Sequence, residues 1–165
     1  GPVQTLAREV AVVVTPATTP AEFKIVITGP RGAGKATASR SIGEGIAVPM
    51  SLDGSGRALD GLPPAAAGAL GLIVLVDNSQ TDPIAQVAWH LRVLAGPIGP
   101  LPTVVGVGRL ETHPSPGVEA YCAGLEAAGW RVPVIDVDVR READVRLLLS
   151  VLVGLAEADG GAPPE

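Results

Sequence analysis

The residues with the clearest chemistry are Gly29-Pro30-Arg31-Gly32-Ala33-Gly34-Lys35, a G-x-x-x-x-G-K run. Its glycines free the backbone to curl, so that several N–H groups point at one phosphate. A helix starting at the lysine adds partial positive charge, and Lys35 reaches the terminal phosphates. The chemistry is capture of a phosphorylated ligand, with Gly29, Pro30, Arg31, Gly32, Ala33, Gly34, Lys35, Ala36 and Thr37 as candidate residues. In such loops a Ser or Thr hydroxyl after the lysine holds Mg²⁺. Here that residue is Ala36, which has no ligand atom. Thr37 lies about 100° further round the helix and does not replace it. The spacing therefore predicts phosphate binding with little dependence on Mg²⁺, no protein metal site and no assignable catalytic residue. Arg31 is the unusual member. It either brings charge to a bound phosphate or projects to a partner.

Such a loop needs a strand before it and a helix after it. Residues 23–28 (FKIVIT) read as the strand and 35–42 as the helix. Residues 70–76 (LGLIVLV) form the continuous apolar run of a strand buried on both faces. Across 82–94, Ile84, Val87, Ala88, Leu91 and Leu94 recur at helical spacing, with Asp82-Pro83 as cap and first turn. Residues 103–107 are the next strand, and 115–128 the next helix, closed by Gly129. Residues 132–139 are the last strand and 141–156 the last helix, striped by Leu148, Leu149, Leu152 and Leu155.

This alternation predicts an α/β three-layer sandwich, a mostly parallel sheet with helices on both faces. Residues 43–64 are harder to read; Gly54-Ser55-Gly56 suits the turn of a short hairpin. Asp53 and Asp60, the carboxylates available to the metal side, both read as turn residues. Residues 8–14 (REVAVVV) read as an extra N-terminal strand on the open edge beside 23–28, supplied by the same chain or a neighbour. The alternative places 47–53 there. Residues 1–2 read as a cleavage scar, 3–157 as one domain and 158–165 as a flexible tail.

Composition narrows the function. The chain has 165 residues, 17 acidic and 12 basic side chains and a net charge of −5, which argues against a nucleic-acid or anionic-membrane binder. Only Phe23, Trp89, Tyr121 and Trp130 are aromatic, too few for a base-stacking platform. Cys122 is the single cysteine, so no internal disulfide forms; it reads as a small buried helix residue. His90 reads as a surface or partly packed helix residue and His113 as a loop residue. No apolar run reaches the length of a membrane span, and no signal peptide precedes the domain, so a cytoplasmic protein is expected.

FKIVITGPRGAGKATASRSI, GALGLIVLVD, VVGVGRLE and VIDVDVRREADV resemble segments of the small Ras-like GTPases of bacteria whose genes accompany a roadblock-type protein, the conservon type. The resemblance covers residues 23–156. It implies a P-loop NTPase (Ras-like) fold, GTP or GDP as ligand, and a roadblock-type protein or a second copy as partner. It also implies that Arg109, Glu111, Asp138 and Arg140 face the base. The departures are as informative. The family's Asn falls on Gly108, its Lys on Arg109 and its Asp on Glu111, so guanine loses its main hydrogen bonds. Gly68 lies only 33 positions after Lys35, a truncated switch region without the usual Thr or Gln. The expected function is a degenerate GTPase-like module acting through protein contacts, with weak nucleotide binding and weak or no turnover. The alternative is a divergent GTP- or ATP-binding hydrolase.

Overall fold

The structure is a computed structural model that describes residues 25–43, 46–53, 55, 69–98 and 100–161. The first strand, β1 (Ile25–Thr28), is buried along its whole length, as IVIT is suited to be. The glycine loop follows, then α1 (Lys35–Ile42), β2 (Ala47–Pro49) and β3 (Gly71–Asp77). The rest is α2 (Pro83–Ile98), β4 (Thr103–Gly108), α3 (Val118–Ala127), β5 (Val134–Asp136) and α4 (Glu142–Gly161). Among the described residues five strands lie in the order β2-β1-β3-β4-β5, and every neighbouring pair is parallel.

Alternate side chains of each strand face opposite layers. Ile25, Ile27, Ile73, Leu75 and Val104 meet α1 and α4 through Ala38, Ile42, Leu148, Leu149 and Leu152. Val26, Val74, Val76, Val105 and Val107 meet α2 and α3 through Val87, Leu91, Leu94, Tyr121 and Leu125. Leu152 closes so tightly on β3 that a Cβ on Gly71 would stand 2.7 Å from its Cδ2. Each buried Leu or Ile contributes about 1.5–3 kcal/mol, so both faces are needed.

Several bounds differ from the sequence reading. Strand β5 is shorter than 132–139, although Val105 N–H still bonds Pro133 O and Val137 N–H bonds Val107 O. Helix α2 continues past Leu94 to Ile98. Helix α4 continues past Ala156 to Gly161, into the segment read as a tail, although Gly160 and Gly161 are poor helix formers. Val118 opens α3, later than expected, and Gly129 closes it at φ 96°. The place beside β1 belongs to 47–49, with Met50 N–H on Ile27 O at 2.7 Å. This is the alternative arrangement, and β2 runs parallel to β1. Gly54 and Gly56 of the expected hairpin turn, Asp60 and the expected strand at 8–14 lie outside the described residues.

Candidate functional site

All five strands point their carboxyl ends the same way, and loops there converge, as is usual for ligand sites of open parallel sheets. The loop between β1 and α1 bends through Gly29, Gly32 and Gly34 at φ 146°, 83° and 96°. Gly29 passes so close to β3 that a Cβ would lie 2.0 Å from Leu75 O. A Cβ on Gly34 would lie 2.6 Å from Val139 Cγ2. Gly34 caps α1 without a side-chain bond, which leaves the first N–H groups of the helix for a ligand or water.

Lys35 Nζ donates to Gly29 O at 2.8 Å and Pro30 O at 3.0 Å. Burial, and then the charge of Arg31, push its pKa below the usual lysine value. Arg31 is exposed, and its carbonyl accepts a hydrogen bond from Gln80 Nε2 at 2.7 Å. Ala36 is exposed and Thr37 is half-buried, with Arg40 Nη2 at 3.5 Å from its hydroxyl.

The opposite wall comes from the ends of β3, β4 and β5. Arg109, at φ 69°, approaches Asp77 at 3.6 Å. Asp77 also accepts Ser79 N–H at 2.8 Å and Ser79 Oγ at 2.6 Å. Against the upward pull of burial, these bonds and the charges of Arg109 and His113 hold its carboxyl below the usual range. Arg140 grips Asp138 through Nε and Nη2, both at 2.9 Å, and its backbone N–H at 3.0 Å. That grip lowers the Asp138 pKa to about 2.

These walls enclose a cleft of about 180 Å³. Gly32, Ala33, Gly34 and Thr37 line one side, and Arg109, Glu111, Asp138 and Arg140 the other. Eight of the sequence-predicted residues therefore meet in one place. Gly29, Pro30, Arg31, Lys35 and Ala36 do not line it. Gly29 and Pro30 hold the lysine, while Arg31 and Ala36 face solvent.

Sequence reasoning missed the support behind the cleft. Asn78 is 4% exposed and donates through Nδ2 to His113 O at 2.6 Å and Pro116 O at 2.9 Å. Its Oδ1 accepts the Tyr121 hydroxyl, and its N–H bonds Gly108 O at 2.9 Å. This pins the loop that carries Arg109 and Glu111. Asp77-Asn78, polar residues ending a buried parallel strand, were the available signal. Two other readings are corrected. His90 is buried, 5% exposed, with Nδ1 2.8 Å from Gln86 O, because it shares the inner face of α2 with Val87 and Leu94. Cys122 is exposed, because Tyr121 and Leu125 take the inner face of α3.

The loop fits a phosphate chain through its glycines, the start of α1 and Lys35. It does not fit Mg²⁺, since Ala36 presents a methyl group; no cluster of three or more His, Cys, Asp or Glu suits a metal among the described residues. Gly108 likewise offers a base no side chain. Asp53 accepts Ser55 N–H at 2.8 Å and Ser55 Oγ at 2.6 Å, a turn arrangement. A larger groove of about 870 Å³ lies at the amino-terminal ends of β3 and β4, lined mainly by residues such as Leu91, Leu94, Leu101 and Trp130. It is the bigger cavity, but the convergent charged groups are in the cleft. No helix among the described residues is long and apolar enough to cross a membrane.

No family model matches the chain, and no curated protein matches it. Among solved structures it is similar to an ADP-ribosylation-factor-like GTP-binding protein, the small COPII coat GTPase of Encephalitozoon cuniculi, in complex with GDP. The TM-score is 0.61 at 13% identity, over 96% of this chain and 90% of that one. That likeness, the glycine loop between β1 and α1 and the five-stranded parallel sheet behind it give this chain the α/β fold of the P-loop NTPases, in its small-GTPase-like form.

Proposed function

We propose that this chain is a degenerate small-GTPase-like module of the roadblock-associated bacterial kind. In this reading it holds GTP, GDP or phosphate weakly in the cleft, does not turn nucleotide over, and works in the cytoplasm through a roadblock-type protein or a second copy. One observation carries it: Ala36, exposed directly after Lys35, supplies no metal ligand in a loop otherwise built for phosphate. Gly108 supports it from the other wall, where base reading would need a side chain. The GDP in the similar structure supports a nucleotide as the ligand class.

Calorimetric titration with GTP, GDP and ATP, with and without Mg²⁺, tests this reading. The expected result is weak binding with little preference for guanine and no gain in affinity from the metal. Micromolar, guanine-selective, Mg²⁺-dependent binding would overturn it. So would steady hydrolysis that disappears in Lys35→Ala, which would establish the hydrolase alternative.

A further inference from the structure

We infer that Arg31 is the second cation of the phosphate site and, with Lys35, takes the charge that Mg²⁺ supplies in loops of this kind. The site would then select a metal-free di- or triphosphate chain over its Mg²⁺ complex. This rests on the phosphate-binding reading above.

Arg31 sits at the tip of the turn closed by Ala33 N–H on Pro30 O at 3.2 Å. That turn is held at both ends. The Pro30 carbonyl also accepts Lys35 Nζ, and the Arg31 carbonyl is fixed by Gln80 from the loop after β3. The peptide that aims the guanidinium is therefore pinned, while the side chain itself is exposed and free to close on a ligand.

The pairing of the arginines is the second observation. Arg109, Arg131, Arg140 and Arg146 each have a carboxylate within ion-pair distance. Neither Arg31 nor Lys35 has one among the described residues, and nor do Arg40, Arg92 and Arg141; what sets Arg31 apart is its place in the loop, where its charge acts on Lys35. The charge of Arg31 still acts on Lys35 and favours its neutral form. Two like charges carried on one loop repel each other, and an anion bound by both reverses the sign of that interaction. A guanidinium adds paired N–H donors that match phosphate oxygens.

Chemistry closes the argument. A polyphosphate carries more negative charge than one ammonium and a helix terminus offset, and Ala36 cannot hold the usual metal. Arg31 is the cation built into the loop. Excess Mg²⁺ would compete with it by neutralising the same oxygens in solution.

The test is calorimetry with inorganic pyrophosphate and with GDP, in EDTA and in excess Mg²⁺, on wild type, Arg31→Ala, Arg31→Lys and Gln80→Ala. Circular dichroism melting confirms that each exposed-site variant is folded. Wild type should bind more tightly in EDTA than in Mg²⁺. Arg31→Ala should lose about ten-fold of the EDTA affinity, and Arg31→Lys should recover part of it. Gln80→Ala should fall between wild type and Arg31→Ala. Unchanged EDTA affinity in Arg31→Ala would overturn the inference alone and leave Arg31 facing a protein partner. Affinity that rises ten-fold with Mg²⁺ would also overturn it. No binding of either probe to wild type in either buffer would overturn the phosphate reading and the inference together.

Discussion

Tyr121 donates its phenolic hydrogen to Asn78 Oδ1 at 2.5 Å, tying α3 to the carboxyl end of β3 across 43 residues of sequence. Both residues are buried, and burial keeps the phenol protonated by pushing its pKa up. Removing one partner leaves the other unsatisfied where water does not reach it.

Tyr121→Phe should therefore cost about 1–3 kcal/mol, read from urea unfolding. Asn78→Leu should cost more, since it also releases the carbonyls of His113 and Pro116. Hydrogen exchange across residues 109–117 should accelerate in both variants. An unchanged urea midpoint and unchanged exchange would show that the network does not hold the loop.

Two glycines separate steric cost from backbone cost. Gly43 has φ 122° and nothing within 4 Å of the place a methyl group would take, so Gly43→Ala should lose only about 1–3 kcal/mol through strain. Gly29→Ala adds a collision with Leu75 O at 2.0 Å, so its loss should exceed about 4 kcal/mol. Thermal melting of the pair checks the order. Equal losses would mean that β3 yields to the added carbon.

Lys35→Ala should remove at least about ten-fold of the affinity for pyrophosphate, because its charged bonds have no substitute of equal reach. Ala36→Thr alone should restore neither Mg²⁺ dependence nor turnover, since the base wall and the shortened segment after α1 remain altered. A single-turnover assay with radiolabelled GTP checks it. Measurable Mg²⁺-dependent hydrolysis in Ala36→Thr would contradict the prediction.

Asp138 should titrate at about 2 in the folded protein, against an ordinary value of 3.8. Its pKa is lowered, so any stability it adds is present above the ordinary value and fades as pH falls toward about 2. Arg140→Ala should return the carboxyl toward the ordinary range. The stability gap between wild type and Arg140→Ala should narrow as pH drops through that window. Carboxyl carbon chemical shifts across a pH series read the pKa directly. An unmoved Asp138 in the variant would show that Arg140 is not the cause.

What the sequence disclosed was local. The glycine loop is one contiguous run, and the helices and strands carry their own periodicity, so both were readable. Arg109, Glu111, Asp138 and Arg140 entered through resemblance and do line the cleft. Gln80 was not readable, because its bond to Arg31 joins residues 49 positions apart. No periodicity encodes such a contact. His90 was a different failure. Its spacing from Val87 and Leu94 already placed it on the inner face of α2, but a histidine is more often exposed than a leucine, and residue type outweighed position. Cys122 failed the opposite way, with an apolar type on an outward position.

Helix α4 is translated after the five described strands, yet it supplies Leu148, Leu149 and Leu152 to the face of the sheet that it shares with α1. On the ribosome, β1, β3 and β4 exist before their cover does. At a synthesis rate of about 5–20 residues per second, its 20 residues take about one to four seconds to make. Through that interval Ile73, Leu75 and Val104 form a bare apolar surface, the kind that chaperones bind and that neighbouring nascent chains stick to. The vulnerability of this protein is thus set by timing: it is greatest just before synthesis of α4 ends and closes in one step when that helix docks.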